Sequence, residues 1–341
     1  MRYIGSKLNL LRQLDEAINE CNVSTGKFCD IFSGTGVVGR HFKNNFQITS
    51  NDFLYFSHVL QHASICLNKT PDLTKIEKIF GDPFLYLNNI DITKFDFKKP
   101  AFIAIEYSPH QGGERKYFRE NSALHIDAIR QTIQDWFENG LIDEDGFKYL
   151  LASLIEFVPS ISNIAGTYGA YLKHWDTRTT KPMALAPIQL IDNNLENISF
   201  NEDANELIKK ISGDVLYVDP PYNGRQYLGN YHVLETIAKY DSPILKGKTG
   251  TREDLGKSSN YCKKGKVAGA FSELVENAKF KNIFISYSTE GLLEVDELVN
   301  IVENSTDKRF LKVYKFPYRR YVRIKDENKP TVDEIVISAV K

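Results

Sequence analysis

"KFCDIFSGTGVVGRHFK", residues 27–43, decides the fold. A short apolar run ends on Asp30 and Phe32, turns through Gly34 and Gly36, and passes at once into a helical pattern from Val37. Glycine belongs where the backbone takes positive φ or where a ligand approaches it closely. Strand, glycine turn and helix together open a βαβ unit. "QITSNDF" (47–53) supplies a second short strand ending on Asp52, and a helical pattern follows through Leu67. Upstream, Leu8, Leu11, Leu14 and Ile18 recur at the helical period, so a helix precedes the first strand.

The alternation resumes near residue 198. "ISFNEDANELIKKI" predicts a strand end and a helix, "DVLYV" an apolar strand, "NYHVLETIAKY" a helix, "KNIFISYS" a strand and "DEIVISAV" the last strand. Apolar strands separated by helices predict an α/β fold, a doubly wound and mostly parallel sheet. Between the two halves, residues 121–139 and 143–158 have helical periodicity, with Asn/Ser and Asp at their starts and a glycine after the first. A largely helical insertion at 73–190 thus interrupts a sheet domain made of 1–72 and 191–341.

Composition sets bounds. At 341 residues the chain holds one large domain or a domain with a sizeable insertion, since single cores stop growing at about 250–300 residues. Its 43 Lys and Arg nearly cancel 44 Asp and Glu, so net charge alone points to no partner. Cys21, Cys29, Cys66 and Cys262 lack metal-ligand or redox spacing, which argues against zinc and against a disulfide framework. The chain has no apolar run of ~18 residues and no leader-like start, and the expected location is cytoplasmic.

Three stretches bear chemistry. Gly34, Gly36 and Gly39 fit G-x-G-x-x-G, with Asp52 at the next strand end suited to ribose hydroxyls. This pattern fits a dinucleotide enzyme, an S-adenosylmethionine enzyme or a bare structural turn. Asp30 shifts the balance, because a carboxylate there attracts the ammonium of a methionine moiety and repels a pyrophosphate. "RYIGSK" (2–7) is either a polar lead-in with Ser6 as a cap or a cover for a bound nucleoside, with Tyr3 and Lys7 as candidates. In "VLYVDPPYNGRQY" (215–227) a buried strand stops on Asp219, and Pro220 and Pro221 cannot extend a ladder. Asp219 and a proline-fixed carbonyl make two acceptors converging on one point, the complement of an exocyclic amino group. Such a pair stabilises the charge that develops on an amino nitrogen as a methyl group arrives, with no metal required. Tyr222 offers a stacking face for a base.

In this order the motifs resemble those of the Dam-type, alpha-group DNA adenine-N6 methyltransferases, over nearly the whole chain. "RYIGSK" is similar to the family's N-terminal cofactor motif. "DIFSGTG" is similar to its glycine motif. "DPPY" (219–222) matches its catalytic tetrad. The resemblance implies a restriction-modification enzyme that transfers methyl from S-adenosylmethionine to adenine N6 in duplex DNA by base flipping. It implies cofactor contacts from Tyr3, Lys7, Asp30, Phe32, Gly34, Gly36, Asp52, Asp203, Ala204 and Asp219, and catalysis by Asp219, Pro220, Pro221 and Tyr222. "GDPF" (81–84) is a weaker second match to the adenine-contact motif of 203–204. The insertion would serve as target-recognition domain, with Tyr168, Tyr171, Lys173 and Arg178 in "GTYGAYLKHWDTR" reaching bases or phosphates. Arg225 and Gln226 would probe the space left by the flipped base.

Residues 246–266 hold seven Lys/Arg and two acids, and 308–325 hold eight and none, so both are candidate phosphate tracks. Residues 107–190 contain eight Lys/Arg against ten acids, which leaves the insertion only local basic patches. Alternative readings are methylation of cytosine N4 or an RNA base, and a non-catalytic DNA-binding specificity subunit. Double-stranded DNA, a cognate endonuclease acting on the same site and a monomeric state complete the expectations.

Overall fold

A computed structural model of the chain describes residues 5, 7–253, 258–318 and 332–341. Its contacts divide into two compact units. One contains the sheet and comprises Lys7–Phe53, Leu195–Gln226 and the described part of 257–341. The other is largely helical and comprises Gly5, Leu54–Asn194 and the described part of 227–256.

In the sheet unit the strands are β1 (Gly26–Asp30), β2 (Phe46–Asn51), β3 (Ile198–Phe200) and β4 (Ser212–Val218). In the helical unit β5 (Leu245–Lys246) and β6 (Thr251–Arg252) form a small antiparallel hairpin. The sheet is completed by β7 (Lys279–Ser288), β8 (Asp307–Tyr318) and β9 (Val332–Val340), in the order β3-β2-β1-β4-β7-β9-β8. The first five in that order are parallel, and β9 is antiparallel to both its neighbours. The mostly parallel α/β sheet expected from the alternating pattern is therefore present.

Chain order reverses between β1 and β4. From β1 the chain moves outward through β2 and β3, then returns to the far side of β1 with β4. In such sheets the crevice at the carboxyl ends of the two central strands is where ligands bind. Asp30 ends β1 and Asp219 immediately follows β4, so the two acids flank that point. Beneath them Phe28, fully buried, stacks on Phe42 at 4.7 Å and meets the edge of Phe46 at 5.6 Å. Those contacts hold the helix Val37–Phe42 against the sheet.

The helical unit is built around Glu120–Glu138 and Glu144–Phe157. Asp143 caps the second helix by accepting from the Gly146 amide at 2.9 Å, as expected. The first has Arg119 at its N-cap with no side-chain bond, and Asn121 and Ser122 lie inside it, so the expected Asn/Ser start is corrected. Two buried acids cap other helices from a distance. Asp127 accepts from the Ile103 and Ala104 amides at 3.1 and 2.8 Å, and Glu235 from the Tyr55 and Phe56 amides at 3.1 and 2.9 Å. An unsatisfied first turn buried without water needs such partners. Glu235 thus ties Tyr55–Gln61 to Tyr227–Lys239, and both belong to the helical unit. The division falls at 53/54 and 194/195, with 227–256 included, against sequence-based bounds of 72/73 and 190/191.

The basic run from 308 is also reassigned where it is described. It forms β8, at the edge of the sheet, and residues 319–325 lie outside the described residues. Lys308 pairs with Glu303 at 3.4 Å, Arg309 with Asp307 at 2.6 Å and Lys312 with Glu20 at 2.8 Å. Charged side chains on an edge strand discourage pairing with other chains, a structural role for these cations beside the phosphate track expected of the run. Among the described residues no helix is long and apolar enough to cross a membrane.

Truncating Phe28→Ala opens a cavity under the switch point and is expected to cost about 3–5 kcal/mol. Urea denaturation followed by near-ultraviolet circular dichroism checks this, and a loss under about 1 kcal/mol would show that the aromatic stack is not what holds the turn.

Candidate active site

The glycine turn is fixed by its own backbone. Gly34 and Gly36 have φ of 52° and 78°, a region that side chains disfavour, and Gly36 precedes the helix Val37–Phe42. The Ser33 amide donates to the Asn51 carbonyl at 2.8 Å, and the Gly34 amide to Asp52 Oδ2 at 2.9 Å. Asp52 stands one residue beyond β2, so one oxygen of the expected ribose acid braces the turn. Asn51 joins three segments: its Nδ2 donates to the carbonyls of Ile31 and Glu202, and its Oδ1 accepts from the Glu202 amide.

That junction sets the position of residues 201–205. Asn201 donates to the Asp52 carbonyl at 2.7 Å. Asp203 caps the short helix Ala204–Leu207 through the Asn205 amide at 2.9 Å, and Asp203 is exposed while Ala204 is buried. The Tyr261 hydroxyl donates to Asn205 Oδ1 at 2.8 Å, and the Tyr261 ring meets Phe32 edge-on at 5.0 Å. Asp203, Ala204 and Phe32 are thereby drawn toward the same edge as the glycine turn. The rival match at 81–84 has a structural explanation: Asp82 caps the helix Pro83–Asn88 through the Leu85 amide at 2.7 Å, with proline in its first turn.

Asp30 is 1% exposed. Its Oδ2 accepts from the Gly39 amide at 3.3 Å, and its Oδ1 is buried with no hydrogen-bond partner among the described residues. Burial pushes its carboxyl up to about 7, with the nearby Asp219 carboxylate acting in the same direction. A buried carboxylate oxygen without a donor is costly and is satisfied by a cationic ligand group. The ammonium of S-adenosylmethionine has that charge, and the residues present fit it.

Asp219 is met by Lys7. The ammonium lies 3.0 Å from Asp219 Oδ1 and 3.4 Å from Glu334 Oε2, and 5.5 Å from the centre of the Tyr222 ring. Lys7 and Glu334 are 4% and 6% exposed, whereas Asp219 keeps 14%, so of the three it has the most surface open to a ligand. Burial works against the Lys7 charge, but the Asp219 and Glu334 carboxylates outweigh it and hold the amine above the ordinary lysine range. Burial pushes the Asp219 carboxyl up to about 6, Lys7 pulling the other way.

Pro220 is buried and Pro221 half-buried, and the Tyr222 carbonyl accepts from the Leu292 amide at 2.9 Å. Tyr222 is 9% exposed and meets Tyr287 edge-on at 6.1 Å. Arg225 is exposed. Gln226 makes paired hydrogen bonds with the Ser259 backbone at 3.1 and 2.9 Å, so its amide holds a loop. Tyr3 lies outside the described residues.

The candidates in the helical unit separate. Tyr168 is 1% exposed, with its hydroxyl 2.8 Å from Ser162 Oγ, so the expectation that it reaches DNA is corrected to a core role. Tyr171 is half-buried against Tyr117, Arg178 pairs with Asp176 at 3.0 Å, and Lys173 is exposed. Of the basic run from 246, Arg252 is 4% exposed and bound to Asp241, and Lys246 pairs with Glu253. Asn51, Tyr261 and Glu334 fall in no motif, and only their contacts reveal them, while Asn205 lies in the adenine-contact stretch 201–208 but is not singled out there. A buried acid in the otherwise apolar "DEIVISAV" is the one signal the sequence held for Glu334.

A family model described as D12 class N6 adenine-specific DNA methyltransferase matches residues 3–301. Type II methyltransferase M.FokI of Planomicrobium okeanokoites is 47% identical over 338 residues, 98% of this chain and 51% of that protein. Modification methylase StsI of Streptococcus sanguinis is 39% identical over 94% of this chain and 49% of its own length. Type II methyltransferase M.NlaIII of Neisseria lactamica is 39% identical over 96% of this chain and 95% of its own length. The chain spans about half the length of the first two relatives. The glycine turn at β1, the Asp219 tetrad after β4 and a match over most of its length agree: the chain belongs to the D12 class of N6 adenine-specific DNA methyltransferases.

Proposed function

We propose that this chain methylates N6 of adenine in a short duplex DNA sequence, with the adenine flipped out of the helix, as the modification enzyme of a restriction-modification system. The observation that supports it best is the pair of buried acids flanking the switch point: Asp30 with an unsatisfied oxygen, and Asp219 with surface open toward a ligand.

S-adenosylmethionine, when bound, supplies the methyl group. Asp30 would hold its ammonium, the backbone at Gly34 and Gly36 allows close approach, and Phe32, Asp52, Asp203 and Ala204 are the candidates for its nucleoside. Lys7 acts from beneath, fixing the direction of Asp219. Asp219 accepts a hydrogen from the adenine amino group, which favours the pyramidal nitrogen needed for attack. Pro220 and Pro221 stiffen the turn and direct a carbonyl as second acceptor, and Tyr222 stacks on the base. Arg225 in the sheet unit and Lys173 in the helical unit, both exposed, are candidate DNA contacts, as are Tyr171 and Arg178 in the helical unit. Residues 73–190, within the helical unit, would provide target recognition. A cytoplasmic site of action, a monomer and a cognate endonuclease cutting the same site belong to this reading.

Asp219→Ala should abolish methyl transfer from tritiated S-adenosylmethionine while duplex binding in gel shift persists; full activity would exclude the mechanism. Ionised Asp219 is a far stronger acceptor than the protonated carboxyl, so single-turnover transfer should hold at neutral pH and fall as pH drops through about 6, where burial puts this group. A rate flat down to pH 5 would count against that role.

Binding of a cation beside Asp30 stabilises its ionised form and lowers a carboxyl that starts at about 7. Calorimetry near pH 7 in buffers of different ionisation enthalpy should therefore show release of about half a proton per cofactor bound. Asp30→Asn should eliminate that release and weaken cofactor binding about tenfold or more. Binding without proton release in the unmodified protein would place the ammonium elsewhere.

A further inference from the structure

We propose that Glu334 is a positioning residue for methyl transfer: by sharing the Lys7 ammonium, it keeps Asp219 available to accept the hydrogen of the target amino group. This rests on the methyl-transfer reading above. Glu334 belongs to none of the motifs, and nothing in the mechanism so far uses it.

The topology explains how it gets there. In a parallel strand, the residues at the ligand edge are those at the carboxyl end. β9 runs the other way, so its first residues reach that edge, and Glu334 sits opposite Ser288, the last residue of β7. On the same strand Ile335, Ile337 and Ala339 are fully buried, as the core of a sheet demands. A carboxylate whose side chain is 6% exposed in such a strand is costly unless paired. Its partner is Lys7 at 3.4 Å, and Lys7 has only one charge to divide between Glu334 and Asp219 at 3.0 Å.

In a medium of low dielectric this division matters. With both acids present, neither neutralises the ammonium alone, and the cluster retains one negative charge beside the ligand edge. Without Glu334, Lys7 and Asp219 close into a neutral pair. The Asp219 oxygen is then tied to the ammonium and is a poorer acceptor for an incoming N–H. The charged and titratable groups around Asp219 are Lys7, Glu334, Asp30 at the end of β1, Tyr217 on β4 and Tyr222. Glu334 raises the Asp219 carboxyl and Lys7 lowers it, so removing the Glu334 charge moves Asp219 downward.

The test uses the full chain, tritiated S-adenosylmethionine and unmethylated bacteriophage DNA under single-turnover conditions from pH 5 to 8. Glu334→Gln should lower the transfer rate about tenfold or more, within the range for loss of a supporting contact. Its acid limb should move to lower pH by about half a unit or more. Cofactor affinity by calorimetry should stay within about threefold, a split that a merely structural loss would not give. Glu334→Asp keeps the charge with a shorter reach, and should fall between wild type and the Gln variant in both rate and limb. It also serves where the Gln variant does not fold. A Gln variant with wild-type rate and limb, or an Asp variant slowed with no movement of the limb, would overturn the proposal. Absence of transfer by the unmodified protein would instead overturn the methyl-transfer reading itself, so the two failures are distinguishable.

Discussion

One buried ammonium organises the carboxyl edge of the parallel strands in this protein. Lys7 is nearly without solvent and is held between Asp219, in the turn after β4, and Glu334, near the start of β9. Breaking a buried pair by removing one partner leaves an uncompensated charge, which is strongly destabilising. The cluster therefore fixes three chain segments against one another: the lead-in to the first helix, the turn after β4 and the start of β9. Lys7 and Glu334 are separated by 327 positions in the sequence, so this contact is as much a closure of the fold as a feature of the site.

The frame around it was largely legible in the sequence, and for a physical reason. Strand, glycine turn and acid are local patterns, and each of β1, β2, β4, β7 and β9 lies where the apolar runs put it. Asp30 and Asp219 could be found because a strand that ends on a carboxylate is unusual. What could not be read depends on distant pairing. The basic residues of 308–318 look like a phosphate track in one dimension, and only the sheet order shows that they lie on an edge strand, where Lys308, Arg309 and Lys312 pair with nearby acids. Tyr168 looks like a surface aromatic between glycines, yet its hydroxyl and ring are spent in a core. Glu334 was hidden because its partner is at the other end of the chain.

The boundary between the two units illustrates the same limit. Periodicity marks Tyr55–Gln61 and Tyr227–Lys239 as helices but says nothing of what they pack against. The first is assigned to the helical unit by a hydrogen-bond requirement: its buried first turn needs an acceptor, and Glu235 is that acceptor. Asp127 does the same for Phe102–Tyr107. Two acids, spaced far apart in the chain, thus add to the apolar core that these helices share.

The placement of β9 between β7 and β8 has a consequence for how the chain folds. β8 precedes β9 in sequence yet pairs with it alone in the sheet, so β8 joins the sheet only through the later strand, and β7 stays unpaired on that side until β9 has docked. Until then β7 presents an open edge built from Ile283, Phe284 and Ile285. Such non-local pairing is slow to form and leaves an aggregation-prone edge while it is pending. Because Glu334 arrives with β9, a chain caught at that stage lacks both its finished sheet and its buried ammonium. Docking of β9 completes the sheet and the Lys7 cluster together.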